Sequence, residues 1–463
     1  MVFCLFRPHD YRNRQPSRTR VAYCKMATLH LHNNHNVYIL GAGFSVDAGL
    51  PTIANFLQVL RQAGDYYRNR NDEENVAAIE WVLDYRLRAA GAAYRCTIDP
   101  DNIEDLFSLI DIEEGPKQAS KSAHLIRQAI AATIEFARLG YVRNSQPVAL
   151  SVQNTTDARC AKFGEPAHDG DSTDLRIIPL YDAYLAALTG MLYEPVAGRR
   201  DTIITFNYDT LVESALDGLE RPYHYGFLPD EYVNEEDIGA GGFVAIDTTN
   251  RPPYLVRDYK DGVVQVLKLH GSVNWGLRDV QAPNSHLKAY GEKAVAQLFI
   301  GASFDDIRHD IDRVFIEPPT WRKGYGTEGR GIATVWNAAL EALRIASRII
   351  VIGYSLPTTD VHFRYLLSAG LRENISLQEI LFVNPDLAED APNYQDIESR
   401  IFRILRPGLR ERKVIRFRGN YLKDELIRGP GLPLEHHKES LFGSVNPNSG
   451  NRPPPFVNRV SPL

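Results

Sequence analysis

Short β-branched apolar runs alternate along this chain with stretches whose apolar residues recur at helical spacing. The alternation predicts a parallel sheet with helices on its faces. The candidate strands are 37–40, 202–205, 263–269, 314–316, 348–352 and 379–383. All but the fourth run into Gly, Asn, Asp, His or Ser within a few residues. In an open α/β sheet the carboxyl ends of such strands form the ligand crevice. The expected fold class is α/β, with a parallel sheet of about six strands.

From residue 54 to about 140 no comparable strand interrupts the helical pattern, which is clearest over 75–87, 102–112 and 123–139. This stretch reads as an inserted helical subdomain, extending to about 175 with 145–174 as a long polar loop. Residues 1–25 hold five Arg and Lys25 against the single acid Asp10. They read either as a basic arm, for an acidic surface or targeting, or as sequence preceding a start at Met26, and the second reading is preferred. Residues 429–463, rich in Pro, Gly and Asn, read as a disordered tail. The expected organisation is an arm over 1–25, one catalytic domain over 26–428 and the tail.

A hydrophobic share of 44% against 24% charged residues is that of a soluble globular protein, and a net charge of −6 disfavours direct nucleic-acid or anionic-lipid binding. Cys4, Cys24, Cys96 and Cys160 form no C-x-x-C pair, so they suggest neither a zinc ribbon nor a disulfide framework, and a reducing cytoplasm is the expected compartment. No apolar stretch approaches the ~20 residues of a membrane helix, so no membrane partner is expected.

The strongest local signal is Gly41-Ala42-Gly43-Phe44-Ser45, continued by Ala48-Gly49-Leu50-Pro51, directly after the first strand. Gly41 and Gly43 permit a tight turn and close backbone approach to a pyrophosphate, which then meets the amino end of the next helix. The turn makes the sheet Rossmann-like. Val46 stands where a dehydrogenase has its third glycine, and no second strand ends in an acid ~20 residues on, so hydride transfer is a weak reading. Two further strand ends carry Asn207 with Asp209, and His270 beside Gly271, Ser272 and Asn274. Asn207 can offer donors and an acceptor to sugar hydroxyls or a water, Asp209 can orient a neighbour, and His270 can move a proton near neutral pH. Turn capping explains the Asn and Asp about as well. Gly353 and Ser355 suit an adenosine pocket and Asn384 its ribose. Asp360 and Arg364 also fit a surface ion pair. His30, His32 and His35 lack the companions of a metal site.

Taken in order, these pieces resemble the sirtuin family, and more closely its divergent sirtuin-like branch found in bacterial defence proteins. Gly41 to Ser45 is similar to the family's glycine-rich NAD loop, Asn207 and Asp209 to its Asn-x-Asp motif, and His270-Gly271 to its catalytic His-Gly. The phrases Ile316-Glu317-Pro318-Pro319-Thr320 and Gly353-Tyr354-Ser355-Leu356-Pro357 are similar to the divergent branch. The four-cysteine zinc module of deacylating sirtuins has no counterpart, and Phe206 stands where they have Gln. The resemblance implies NAD as substrate without zinc, and NAD glycohydrolase activity as an effector of antiphage defence. It implies diphosphate binding at Ala42, Gly43 and Ser45, and a cover over the nicotinamide ribose at Phe44. Asn207, Asp209 and His270 become the catalytic group. A switch is expected, either homo-oligomerisation or a separate activator protein. The rival readings are an NAD-dependent protein deacylase or ADP-ribosyltransferase, and a non-catalytic NAD or nucleotide sensor.

Overall fold

The computed structural model describes residues 34–93, 95–96, 98–114, 121–144, 147–153, 161–163, 173–190, 199–227, 232–233, 244–247, 254–256, 262–280, 295–317, 329–356 and 361–422. All fall in one compact unit beginning at Asn34. The arm at 1–25, the tail at 429–463, His30, His32, Asp360 and residues 318–320 lie outside the described residues.

The strands, in chain order, are β1 (Asn34–Leu40), β2 (Pro147–Gln153), β3 (Ala161–Phe163), β4 (Thr173–Pro179), β5 (Arg199–Thr205), β6 (Tyr223–His224), β7 (Tyr232–Val233), β8 (Val244–Asp247), β9 (Val264–Lys268), β10 (Gly271–Val280), β11 (Val295–Ile300), β12 (Arg313–Ile316), β13 (Arg348–Ile352), β14 (Glu379–Val383) and β15 (Ile415–Arg418). The principal sheet has seven strands in the order β15-β14-β13-β1-β5-β9-β6, every pair parallel. This is one strand more than the sequence predicts, and five of its members are predicted strands. Their apolar residues are buried on both faces, as from Val37 to Leu40 in β1, and a doubly covered strand reads as a continuous apolar run.

Two expectations are corrected. The run at 314–316 does not join the parallel sheet: as β12 it pairs antiparallel with β10, at one edge of a second sheet ordered β12-β10-β11-β8-β7. The segment expected as a polar loop contains β2, β3 and the first residues of β4, which form an antiparallel sheet ordered β3-β2-β4. The stretch to 175 is therefore helical only in its first part. Antiparallel partners recognise one another across the sequence, and neither segment carries the long apolar run of a doubly covered strand.

That first part is α1 (Phe56–Arg68), α2 (Glu73–Ala93), α3 (Ile103–Glu114) and α4 (Lys121–Asn144), followed later by α5 (Leu180–Leu188), α6 (Leu211–Gly218), α7 (Gly329–Ile345), α8 (Val361–Glu373) and α9 (Tyr394–Ile404). In α1 the buried residues Phe56, Leu57, Leu60, Ala63, Gly64 and Tyr67 form one stripe at helical spacing. Gly64 brings α1 against Ile79 of α2, since an added Cβ would lie 3.2 Å from its Cγ2. Tyr67 ties α1 to α4 by donating to Ala132 O at 3.1 Å. From α4, Arg127 donates to Ile316 O at 3.1 Å, which fastens the helical layer to the end of β12. Among the described residues no helix is long and apolar enough to cross a membrane.

Candidate active site

Five neighbouring strands, β14, β13, β1, β5 and β9, run the same way, so their carboxyl ends share one edge of the sheet. Ladder-like bonds continue past those ends. Gly41 N–H donates to Ile352 O at 3.0 Å, Phe206 N–H to Leu40 O at 3.2 Å, Leu269 N–H to Thr205 O at 3.0 Å and Gly353 N–H to Val383 O at 3.1 Å. The five turns beyond these strands are thereby held level, and they open on one cavity of about 510 Å³. The chain leaves β1 for β5 on one side and returns to β13 on the other, so the cavity sits at a topological switch point. Ala42, Gly43, Phe44, Ser45, Asn207, Asp209, His270, Gly353, Ser355 and Asn384 all line it. Gly41 stands just behind, where its carbonyl accepts from Asn207.

The glycines answer to the packing of two turns. A Cβ on Gly41 would lie 2.5 Å from Tyr354 Cα, one on Gly43 2.8 Å from Gly353 Cα, and one on Gly353, which has φ +60°, 2.3 Å from Phe44 N. The turns after β1 and β13 thus meet backbone to backbone. The Gly43 N–H donates to Gly353 O at 2.8 Å and the Phe44 N–H to Gly41 O at 2.9 Å, so both amides point into the fold. The chain continues from this turn as a 3-10 helix, Ala42–Ala48. Gly271 is likewise a folding requirement: it has φ +77°, and a Cβ there would lie 2.1 Å from Phe315 O.

Asn207, Ser45 and Asp209 form one network. The Asn207 Nδ2 donates to Gly41 O and to Ser45 Oγ, each at 3.0 Å, while Ser45 Oγ donates to Asp209 Oδ2 at 2.7 Å. The other carboxylate oxygen, Oδ1, accepts from Leu211 N–H at 3.1 Å. Both amide hydrogens of Asn207 are therefore committed, and its Oδ1 is the atom left to act on a ligand. Two expectations change with this geometry. Asn207 offers an acceptor rather than both functions, and the Ser45 hydroxyl holds Asp209 and Asn207 together instead of reaching toward a diphosphate.

His270 is 4% exposed, with its ring 5.1 Å from that of Phe206 in an edge-on contact. Phe206 in turn stacks on Tyr354 at 4.5 Å and 7°, so an aromatic pair bridges the turns of β5 and β13. Glu317 braces the same region: its N–H donates to His270 O at 2.8 Å and its carbonyl accepts from Tyr208 Oη at 3.0 Å. Ser272 and Asn274, read as companions of His270 at the site, are fully buried and bond within the fold, Ser272 to Tyr208 O and Asn274 to Gly301 O. Phe44 is also a packing residue, 2% exposed, with Tyr181 5.3 Å and Tyr184 6.1 Å from its ring. Asn384 Oδ1 caps the turn after β14 by accepting from Asp386 N–H at 3.0 Å.

One cavity wall was missed by sequence reasoning: Ile103, Glu104 and Phe107 of α3 with Ile130 and Ile134 of α4. Their spacing signals a buried helix face but cannot distinguish a cavity wall from core. Asn420 and Tyr421 close another side, and no sequence signal marked them. Among the described residues no group of three or more His, Cys, Asp or Glu is placed to hold a metal ion, and none of the lining residues is Lys or Arg. His35 instead bonds Thr202 Oγ1 at 2.8 Å.

Residues 201–400, which hold Asn207, His270, Gly353 and Asn384, match the family model of the SIR2-like domain. That stretch of the chain is similar to a SIR2-like domain. The matched residues include β9, β13, β14 and nearly all of β5, while β1 with its glycine turn precedes them and β15 follows them. No curated protein matches the sequence. Similar solved structures include Sir2Tm bound to a propionylated peptide, at 14% identity over 88% of this chain and 95% of that one, with a TM-score of 0.29. A mutant Sir2 homologue with 2'-O-acetyl ADP ribose aligns at 15% identity over 89% and 98%, TM-score 0.31. A Sir2 homolog–NAD complex aligns at 14% over 81% and 96%, TM-score 0.28.

Proposed function

We propose that this protein cleaves the bond between nicotinamide and ribose in NAD+, releasing nicotinamide and ADP-ribose. The observation that carries the reading is the meeting of the glycine turn with Asn207 and His270, both within the residues that match the SIR2-like domain, from three separate strand ends on one cavity. Cleavage passes through an oxocarbenium-like transition state. Nicotinamide leaves as a neutral group, so no acid is required at the leaving side.

Each residue has its own part in the reaction. The Oδ1 of Asn207, its amide fixed by Gly41 and Ser45, accepts from a ribose hydroxyl or from the attacking water. His270 takes the proton that water releases when its oxygen bonds the anomeric carbon. The proton passes to solvent as ADP-ribose forms. Asp209 holds Ser45 and, through it, Asn207. Ala42, exposed beside the cavity, receives the diphosphate, with Gly43, which has no side chain, leaving room for its approach, whereas Ser355 and Asn384 line the adenosine end. The apolar helical wall excludes bulk water.

In a cell such a reaction depletes NAD, which suits an effector of antiphage defence that is switched on by a separate activator protein or by oligomerisation. The test is nicotinamide release from NAD+ by the purified protein, beside His270→Ala and Asn207→Ala. The wild type is expected to release nicotinamide, with a loss of ~100-fold or more in either variant. Equal release by the His270 variant would overturn the assignment.

A further inference from the structure

Behind the cavity lies a buried ion pair that the proposed reaction does not use. Lys268, the last residue of β9 and two before His270, is 1% exposed. Its Nζ donates to Glu213 Oε1 at 2.9 Å and also to the main-chain carbonyl of Asp209. Glu213, in the first turn of α6, is equally buried, and its Oε1 accepts a second bond from Tyr225 Oη at 3.1 Å. Its Oε2 has no hydrogen-bond partner among the described residues.

An ion pair in this setting is a poor source of stability. Both charges lose their hydration, and one carboxylate oxygen recovers no bond in return. Buried pairs of this kind are often replaceable by apolar residues without loss of stability, and their best-attested use is to fix one arrangement among alternatives. The arrangement here is definite. Asp209 is gripped at both ends, its carbonyl by Lys268 and its carboxylate by Ser45 and Leu211 N–H. The turn 206–209 therefore cannot rotate about its peptide planes without breaking one of these bonds. Lys268 connects that turn to the very strand that delivers His270.

We infer that Lys268, with Glu213 as its counter-charge, is a positioning residue that sets the Asn207 turn against His270. The inference rests on the NAD-cleaving reading for its consequence in rate, but not for its consequence in structure. Lys268 does not line the cavity, so ligand affinity and reaction rate are expected to separate when it is changed.

The experiment compares the full chain with Lys268→Met/Glu213→Gln, which removes the ammonium without stranding a buried carboxylate. Hydrogen exchange is read on peptides covering 206–210 and, as a control, β13. Faster exchange confined to 206–210 is expected, and unchanged exchange there would overturn the inference. Nicotinamide release is then measured below the melting transition of both proteins. A kcat at least about tenfold lower at an unchanged KM is expected, and a kcat within twofold of the wild type would also overturn it. If the wild type releases no nicotinamide while exchange rises as stated, the NAD-cleaving reading fails and the positioning role stands. Should the double variant not fold, Lys268→Gln/Glu213→Gln, which removes both charges and keeps polar side chains at the two positions, serves the same comparison.

Discussion

Ser45 donates its hydroxyl to Asp209 Oδ2 at 2.7 Å across 164 positions of sequence, while accepting from Asn207. The first glycine turn and the Asn-x-Asp turn are in this way one structure. Ser45→Ala would leave Asp209 buried with one fewer donor and free the Asn207 amide to rotate. The expected cost is about 1.5–3 kcal/mol of stability, typical for a buried bond to a charged group. Nicotinamide release is expected to fall more than melting temperature alone explains. Urea unfolding beside turnover at a temperature where both proteins are folded checks this.

Gly353 and Phe44 meet where no side chain fits. Gly353→Ala would place a methyl 2.3 Å from Phe44 N at a φ of +60°. Backbone strain of this kind costs about 1–3 kcal/mol before the clash is counted. Since Gly43 is bonded to the same peptide, the variant is expected to unfold at lower denaturant concentration and to disturb the glycine turn. Wild-type denaturation midpoints would contradict the backbone-to-backbone packing of the two turns.

The ring of Phe44 packs on Tyr181 and Tyr184, and this conflicts with a role as cover over the nicotinamide ribose. Phe44→Ala is expected to cost about 3–5 kcal/mol, the range for losing a buried aromatic side chain. Phe44→Leu, which keeps most of the volume, is expected to retain turnover within a few fold. A large loss of turnover in the leucine variant at wild-type stability would return Phe44 to the catalytic group.

Asp217, at the end of α6, has its pKa pushed up to about 7 by burial, with the nearby charge of Glu213 adding to the effect. A carboxyl raised in the folded state loses its proton more readily when the chain unfolds. Its contribution to stability is therefore greatest below about pH 4 and is lost as pH rises toward about 7. Asp217→Asn removes the titration while keeping an oxygen for the Tyr254 N–H. The variant is expected to melt above the wild type at pH 8, with the difference shrinking as pH falls to 4. A difference independent of pH would mean that Asp217 is ionised in both states.

The sequence alone determined most of the framework and several of the residues that stand at its edge. A strand covered on both faces favours apolar residues, so β1, β5, β9, β13 and β14 each carry a short run rich in β-branched or other apolar residues followed by a polar turn. Asn207, His270, Gly353 and Asn384 were legible because strand ends in a parallel sheet share one level. Tertiary structure decided what depends on partners distant in sequence. Only pairing could show that β12 turns away to the second sheet and that β2 and β3 occupy a polar stretch, because an antiparallel partner is chosen across the sequence and the apolar run at 314–316 does not say which sheet it joins. Only packing could show that Gly41, Gly43 and Gly353 make room for one another. Asn207 keeps one free function because Gly41 and Ser45 take its two hydrogens, and the helical wall faces the cavity by a fold-level arrangement. A residue's type states what chemistry it can do; which atom is left to do it is set by the neighbours that folding supplies.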